Sequence, residues 1–165
     1  MAFILVQHLD PTHDSMLVEL LTGHTPLSVM EAADGTPVEP NHLYIIPPGT
    51  YLTVANGVLQ LSKPRERHGA RLPFDVLLRS LAESYGDRAV CVVLSGTGTD
   101  GSAGLKAIHA AGGWVIAQDP DEAGFDGMPR SAIDTGLVDL ILPADQVPGA
   151  LLKSRSKSQT DDEPG

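Results

Sequence analysis

The chain is short of cysteine, of basic residues and of long apolar runs, and each shortage excludes a class of protein. A single cysteine among 165 residues rules out an internal disulfide, so burial has to hold the fold together. Cys91 lies inside the apolar run Ala89 to Leu94, where a thiol behaves as a small buried hydrophobe rather than a nucleophile. Lysine and arginine number 11 against 21 aspartates and glutamates, for a net charge of -10. That balance argues against nucleic acid or an anionic membrane as the main partner. No apolar run approaches the roughly 20 residues of a membrane span. The opening Met1-Ala2-Phe3-Ile4-Leu5-Val6 has neither a basic flank nor a small-residue cleavage site. It does not read as a secretory signal, and a cytoplasmic location is expected.

What is present suits one globular domain: 42% hydrophobic residues, in a length that buries on the order of 70% of the unfolded surface. Phe3 to Leu9 is strand-like. Asp14 to Gly23 reads as a helix, with Asp14 as N-cap and Met16, Leu17, Leu20 and Leu21 at helical spacing. Leu27 to Met30, an Asp34-Gly35 turn, and His42 to Ile46 before Pro47-Pro48-Gly49 follow. Tyr51 to Leu61, broken by Asn56-Gly57, predicts a hairpin.

Pro73 opens an amphipathic helix with Phe74, Leu77, Leu78 and Leu81 on one face and Gly86 at its end. A βα rhythm succeeds it: strand Ala89 to Leu94, helix Gly101 to Ala111, strand Trp114 to Gln118, helix Pro129 to Thr135, strand Leu137 to Leu142, and helix Ala144 to about Lys153. Such alternation predicts an α/β fold, doubly wound, with a mostly parallel sheet to which the hairpin is an antiparallel addition. Residues 1–153 are expected to form the domain, and the polar stretch 154–165 a disordered tail.

The loop Ser95-Gly96-Thr97-Gly98-Thr99-Asp100-Gly101 contains G-x-G-x-x-G between a strand and a helix, and Asp119 closes the next strand. This is the order of a dinucleotide-binding unit. Against that reading, Asp100 would place a carboxylate among the amides meant for a pyrophosphate. Asp121, Glu122 and Asp126 add negative charge nearby. A nucleotide-binding fragment stays open as the weaker alternative.

Two side chains fall at ends of apolar strands, His8 after Phe3 to Val6 and Asp100 after Leu94. In a parallel sheet both occupy the carboxyl edge, where an acid in reach of an imidazole fixes its tautomer and stabilises its charged form. A structural histidine and a helix-capping aspartate are the bland alternative. His8, Asp10, His13 and Asp14 also have metal-ligand chemistry, but Pro11 breaks the register that would converge them, and no metal site is expected. The basic run Lys63 to Arg71 reads as a solvated loop, with docking of a partner as a minor use.

The strings VQHLDPTHDSMLVELL, EPNHLYIIPPG, LPFDVLLRSLAE, VVLSGTGTDGSAGLKAI, GGWVIAQDP and FDGMPRSAI, in this order, resemble the catalytic domain of chemotaxis protein-glutamate methylesterases of the CheB type. The resemblance implies a serine hydrolase that removes methyl esters from glutamates of chemoreceptors, deamidates glutamines in many members, and needs no metal or cofactor. It makes His8 the catalytic base and Asp100 the acid that orients it. Thr97, Met128 and Arg130 line the active site or its edge. The implied partner is the cytoplasmic domain of a methylated chemoreceptor, with receiver or sensory domains elsewhere.

One departure matters. The family carries its serine in a G-x-S-x-G-G turn upstream of the histidine strand, and no such string occurs here. Ser15 at a helix start and Ser95 before the glycine loop lack the strand-turn-helix setting of a nucleophile. The expectation is a catalytic domain missing its first βα unit, and so inactive as this chain. A non-catalytic receptor-binding module is the rival from another class.

Overall fold

A computed structural model of the chain describes residues 2–6, 26–47, 50–63, 73–94 and 101–151. The fold divides into two compact units, Met1–Ser84 and Tyr85–Gly165. The predicted helix from Asp14 to Gly23, most of the basic run and the predicted disordered tail lie outside the described residues.

In the first unit, β1 (Phe3–Leu5), β2 (Ser28–Glu31) and β3 (His42–Ile45) form a parallel sheet with β3 in the centre. Tyr44 and Ile45 of β3 are almost fully buried. Burial of a tyrosine requires a partner for its hydroxyl. The Tyr44 hydroxyl donates to the Pro37 carbonyl at 3.1 Å and accepts from the Glu39 amide at 3.0 Å.

The hairpin forms as expected, from β4 (Tyr51–Ala55) and β5 (Val58–Ser62). Asn56 and Gly57 have φ of 54° and 73°, the paired positive values of a type I′ turn, which matches the twist of the flanking strands. Both edges of this ribbon are covered, which matters because an open edge invites pairing with other chains. On one side Leu59 donates to the Thr36 carbonyl and accepts from the Gly35 amide, each at 2.8 Å. Pro37, which has no amide hydrogen to leave unpaired, bridges Val58 there. On the other side lies α1 (Pro73–Tyr85), whose Leu77, Leu78 and Ala82 are buried. Its Ser80 hydroxyl accepts from the Val54 amide at 3.0 Å, and its Ser84 hydroxyl donates to the Val54 carbonyl at 2.8 Å. Ser80 and Ser84 are four residues apart and so share one face of the helix.

In the second unit, β6 (Val90–Val93), β7 (Trp114–Gln118) and β8 (Leu140–Leu142) form another parallel sheet, with β7 central. The connecting helices are α2 (Ser102–Ala110) and α3 (Gly127–Asp134). Val115, Ile116 and Ala117 have no exposed surface, as a strand covered on both faces requires. Cys91 is buried among these residues, and desolvation pushes its thiol pKa far up, in accord with a packing role. The α2–β7 turn depends on Gly113, where a Cβ would stand 2.5 Å from the Ala89 carbonyl oxygen.

The architecture is thus α/β and mostly parallel, with an antiparallel hairpin. The described strands pair in two three-stranded parallel ladders rather than one continuous ladder. The strand expected from Leu137 begins only at Leu140, because the residues after α3 are spent on turning. Gly136 takes φ of 75°, and Leu137 donates its amide to the Thr135 hydroxyl at 3.1 Å. The last predicted helix opens as a 3-10 turn, Ala144–Gln146, and is helical over 147–151. Among the described residues, no helix is long and apolar enough to cross a membrane.

Candidate active site

In parallel sheets, chemistry gathers at the carboxyl ends of the strands, and at that edge of the β6–β7–β8 sheet the chain forms a small, tight recess. Val93, the last residue of β6, stands at its floor with Leu105 of α2 and Ala132 of α3. Gly101, Ser102, Met128 and Ser131 complete its lining. Gly101 has φ of 111°, a backbone conformation that side chains of L-residues avoid. Its carbonyl accepts the Leu105 amide at 2.8 Å and so starts α2. The last glycine of the loop is therefore required by the turn into the helix, independently of any phosphate.

The connection from β7 to α3 is built by short polar bonds. Asp119 Oδ1 accepts the Asp121 amide at 3.0 Å, the side-chain turn for which aspartate is favoured. The Asp119 carboxylate is thus a turn former. Gln118 Nε2 donates to Glu122 Oε1 at 3.0 Å, and the same oxygen accepts the Ala144 amide at 2.6 Å. Phe125 is 65% exposed. Then α3 begins, with Met128 half-buried in the recess and Pro129 buried behind it.

Arg130 is exposed and already paired. Its Nε donates to Asp126 Oδ2 at 2.6 Å, and its Nη2 lies 3.7 Å from Asp121 Oδ1. The hydrogen bond from Arg130 holds the Asp126 carboxyl below its usual range, and the same bond raises the pKa of the guanidinium. The guanidinium thus forms intramolecular ion pairs with the loop that leads into its own helix.

Of the residues singled out in the sequence, Met128 reaches the recess and Arg130 stands on its helix. His8, Thr97 and Asp100 lie outside the described residues, as do His13, Ser15 and Ser95. Gly101, the immediate successor of Asp100, is in the recess with Met128, so the end of the glycine loop and the GMPR segment meet there. Sequence reasoning missed Gln118, Glu122, Ser102 and Ser131. Gln118 carried one signal, being the polar residue that ends an otherwise apolar strand run. Among the described residues, no group of three or more His, Cys, Asp or Glu side chains is placed to hold a metal ion.

The sequence model of the CheB methylesterase family matches residues 1–151. The chain belongs to the CheB methylesterase family. Similar proteins include the protein-glutamate methylesterase/protein-glutamine glutaminase of Salmonella typhimurium, 37% identical over 164 residues, covering 96% of this chain and 46% of that protein. The protein-glutamate methylesterase/protein-glutamine glutaminase 2 of Pseudomonas aeruginosa is 35% identical over 158 residues, covering 93% and 45%. An uncharacterized 104.1 kDa protein of Rhodobacter capsulatus is 45% identical over 131 residues, covering 79% of this chain and 14% of that protein. The chain spans less than half the length of these relatives. The crystal structure of the Thermotoga maritima CheB methylesterase catalytic domain aligns with a TM-score of 0.82 at 35% identity, covering 91% of this chain and 82% of that one. The α/β fold is thus that of the CheB catalytic domain, in a family of protein-glutamate methylesterases.

Proposed function

We propose that this chain carries the histidine and aspartate of a serine-type protein-glutamate methylesterase acting on methylated chemoreceptors. His8 is the base, Asp100 orients its imidazole, and Met128 lines the wall where the glutamyl ester is held. The observation that carries the reading is the meeting of Gly101 and Met128 in one recess at the carboxyl edge. It brings Gly101, the residue after Asp100, beside Met128 of the GMPR segment, 27 residues further along the chain.

In the reaction, a serine hydroxyl attacks the ester carbonyl while His8 takes its proton. The imidazolium, stabilised by Asp100, then protonates the departing methoxide, and methanol leaves. Water, deprotonated by His8, cleaves the acyl-enzyme to a free glutamate carboxylate and returns the serine proton. A glutamine side chain follows the same course with ammonia as the leaving group. The nucleophile must come from a serine of a G-x-S-x-G-G turn, a string that does not occur in these 165 residues. That same absence favours, as a second reading, a module that binds the receptor without turning it over.

The test is methanol release from methylated receptor. The chain alone should release none above background, and the chain supplied with a G-x-S-x-G-G strand-turn-helix unit should release it catalytically. No release with the unit correctly folded in place would reject the esterase reading in favour of the binding module.

A further inference from the structure

Gln118 is the one polar residue among the described residues that is as buried as the core, 9% exposed at the carboxyl end of β7. Burying an amide without a partner is costly, and here Nε2 donates one of its two hydrogens to Glu122 Oε1 at 3.0 Å. A carboxylate only accepts, so the amide nitrogen has to face it. The same oxygen takes the Ala144 amide at 2.6 Å. One carboxylate thereby ties together the end of β7, the loop that follows it and the first residue after the β8 exit at Pro143. The loop so fastened leads within five residues, 122 to 127, into α3, whose first turn presents Met128 to Gly101 and Ser102 across the recess.

We infer that Gln118 and Glu122 are positioning residues of the candidate active site, acting through Met128. Because the clasp sets where α3 begins, it sets the distance between the GMPR segment and the glycine loop. A catalytic consequence of the clasp rests on the esterase reading; the clasp and its reach do not. Neither side chain touches the reacting atoms in this scheme. Their effect is on where the wall of the recess stands.

Amide NMR spectra and hydrogen exchange of the isotope-labelled chain test it, with no esterase turnover needed, so its failure is separable from failure of the esterase reading. Glu122→Ala should move the amide resonances of Gly101, Ser102 and Met128. It should also speed exchange in the first residues of α3 roughly tenfold, the scale of one lost charge-assisted bond. Glu122→Gln keeps an acceptor and should restore both. Ala144→Pro is the milder second variant. It removes only the amide donor, at the first position of a 3-10 turn where proline fits. Pro143 before it already has the extended φ of -58° and ψ of 149° that a following proline demands. It should move the same three amides by a smaller amount. Val54 and Leu59, in the hairpin, should be unchanged throughout. Shifts confined to residues 118–123 and 143–146, or a Glu122→Gln variant no closer to the parent than Glu122→Ala, would overturn the inference. If Glu122→Ala does not fold, Ala144→Pro decides by the same three amides.

Discussion

Asp139 brackets Val115 from both sides of one peptide position: its amide donates to the Val115 carbonyl at 2.8 Å, and its Oδ2 accepts the Val115 amide at 2.8 Å. Val115 has no exposed surface, so its amide has no water to turn to. Asp139→Ala should therefore destabilise the chain by about 1–3 kcal/mol, the cost of a buried donor left unmade. Asp139→Asn, which keeps an acceptor, should cost less. Urea denaturation of the two variants beside the parent measures the difference.

The serine pair on α1 makes a similar claim about a strand edge. Removing Ser80 strands the amide of Val54, and removing Ser84 strands its carbonyl. Each alanine variant should cost roughly 1 kcal/mol. Together they should open the β4 edge, so that hydrogen exchange at the Val54 amide rises far more than at Leu59, whose partners are backbone groups. Equal rises at both would show that the serines are incidental.

Gly113 is fixed by space rather than by φ. A methyl there meets the Ala89 carbonyl oxygen at 2.5 Å and Ile108 Cγ2 at 2.9 Å. The first of these is backbone and cannot rotate away. Gly113→Ala should cost about 1–3 kcal/mol, as overpacking does, whereas Gly149→Ala, with nothing near it, should melt like the parent.

The Arg130 pair sets a pH dependence of known sign. The hydrogen bond from Arg130 lowers the Asp126 carboxyl pKa in the folded chain. The stabilisation is present above the ordinary carboxylate pKa and is lost as pH falls through the lowered value. Arg130→Gln should move the Asp126 titration, followed by side-chain carboxyl NMR, back up toward the ordinary value. The melting temperature at neutral pH should barely change, because both groups are exposed.

How much of this was legible beforehand depends on how far away the deciding partner lies. Asn56-Gly57 announces its hairpin because the turn is determined by the two residues that make it. The helix from Pro73 was legible in the spacing of its leucines, and its end in Gly86, which takes φ of 56°. The late start of β8 was not legible, since Leu137 and Val138 are as apolar as Leu140. What delays the strand is the Thr135 hydroxyl and the Asp139 carboxylate finding their partners. Glu122 read as one more loop acid because its second donor, Ala144, lies 22 residues away. At the site, Met128 was singled out through motif resemblance, and it lines the recess beside Gly101. The Arg130–Asp126 pair was not singled out in the sequence, although the two residues stand at i,i+4 on one helical turn.

The most direct measurement is methanol release from methylated receptor by the chain with a serine-bearing strand-turn-helix unit supplied, comparing the parent with His8→Ala and Asp100→Ala. Loss of the base should lower the rate on the order of a millionfold, and loss of the orienting acid about ten-thousandfold. Full activity in either variant would contradict the assignment of His8 as base and Asp100 as its partner.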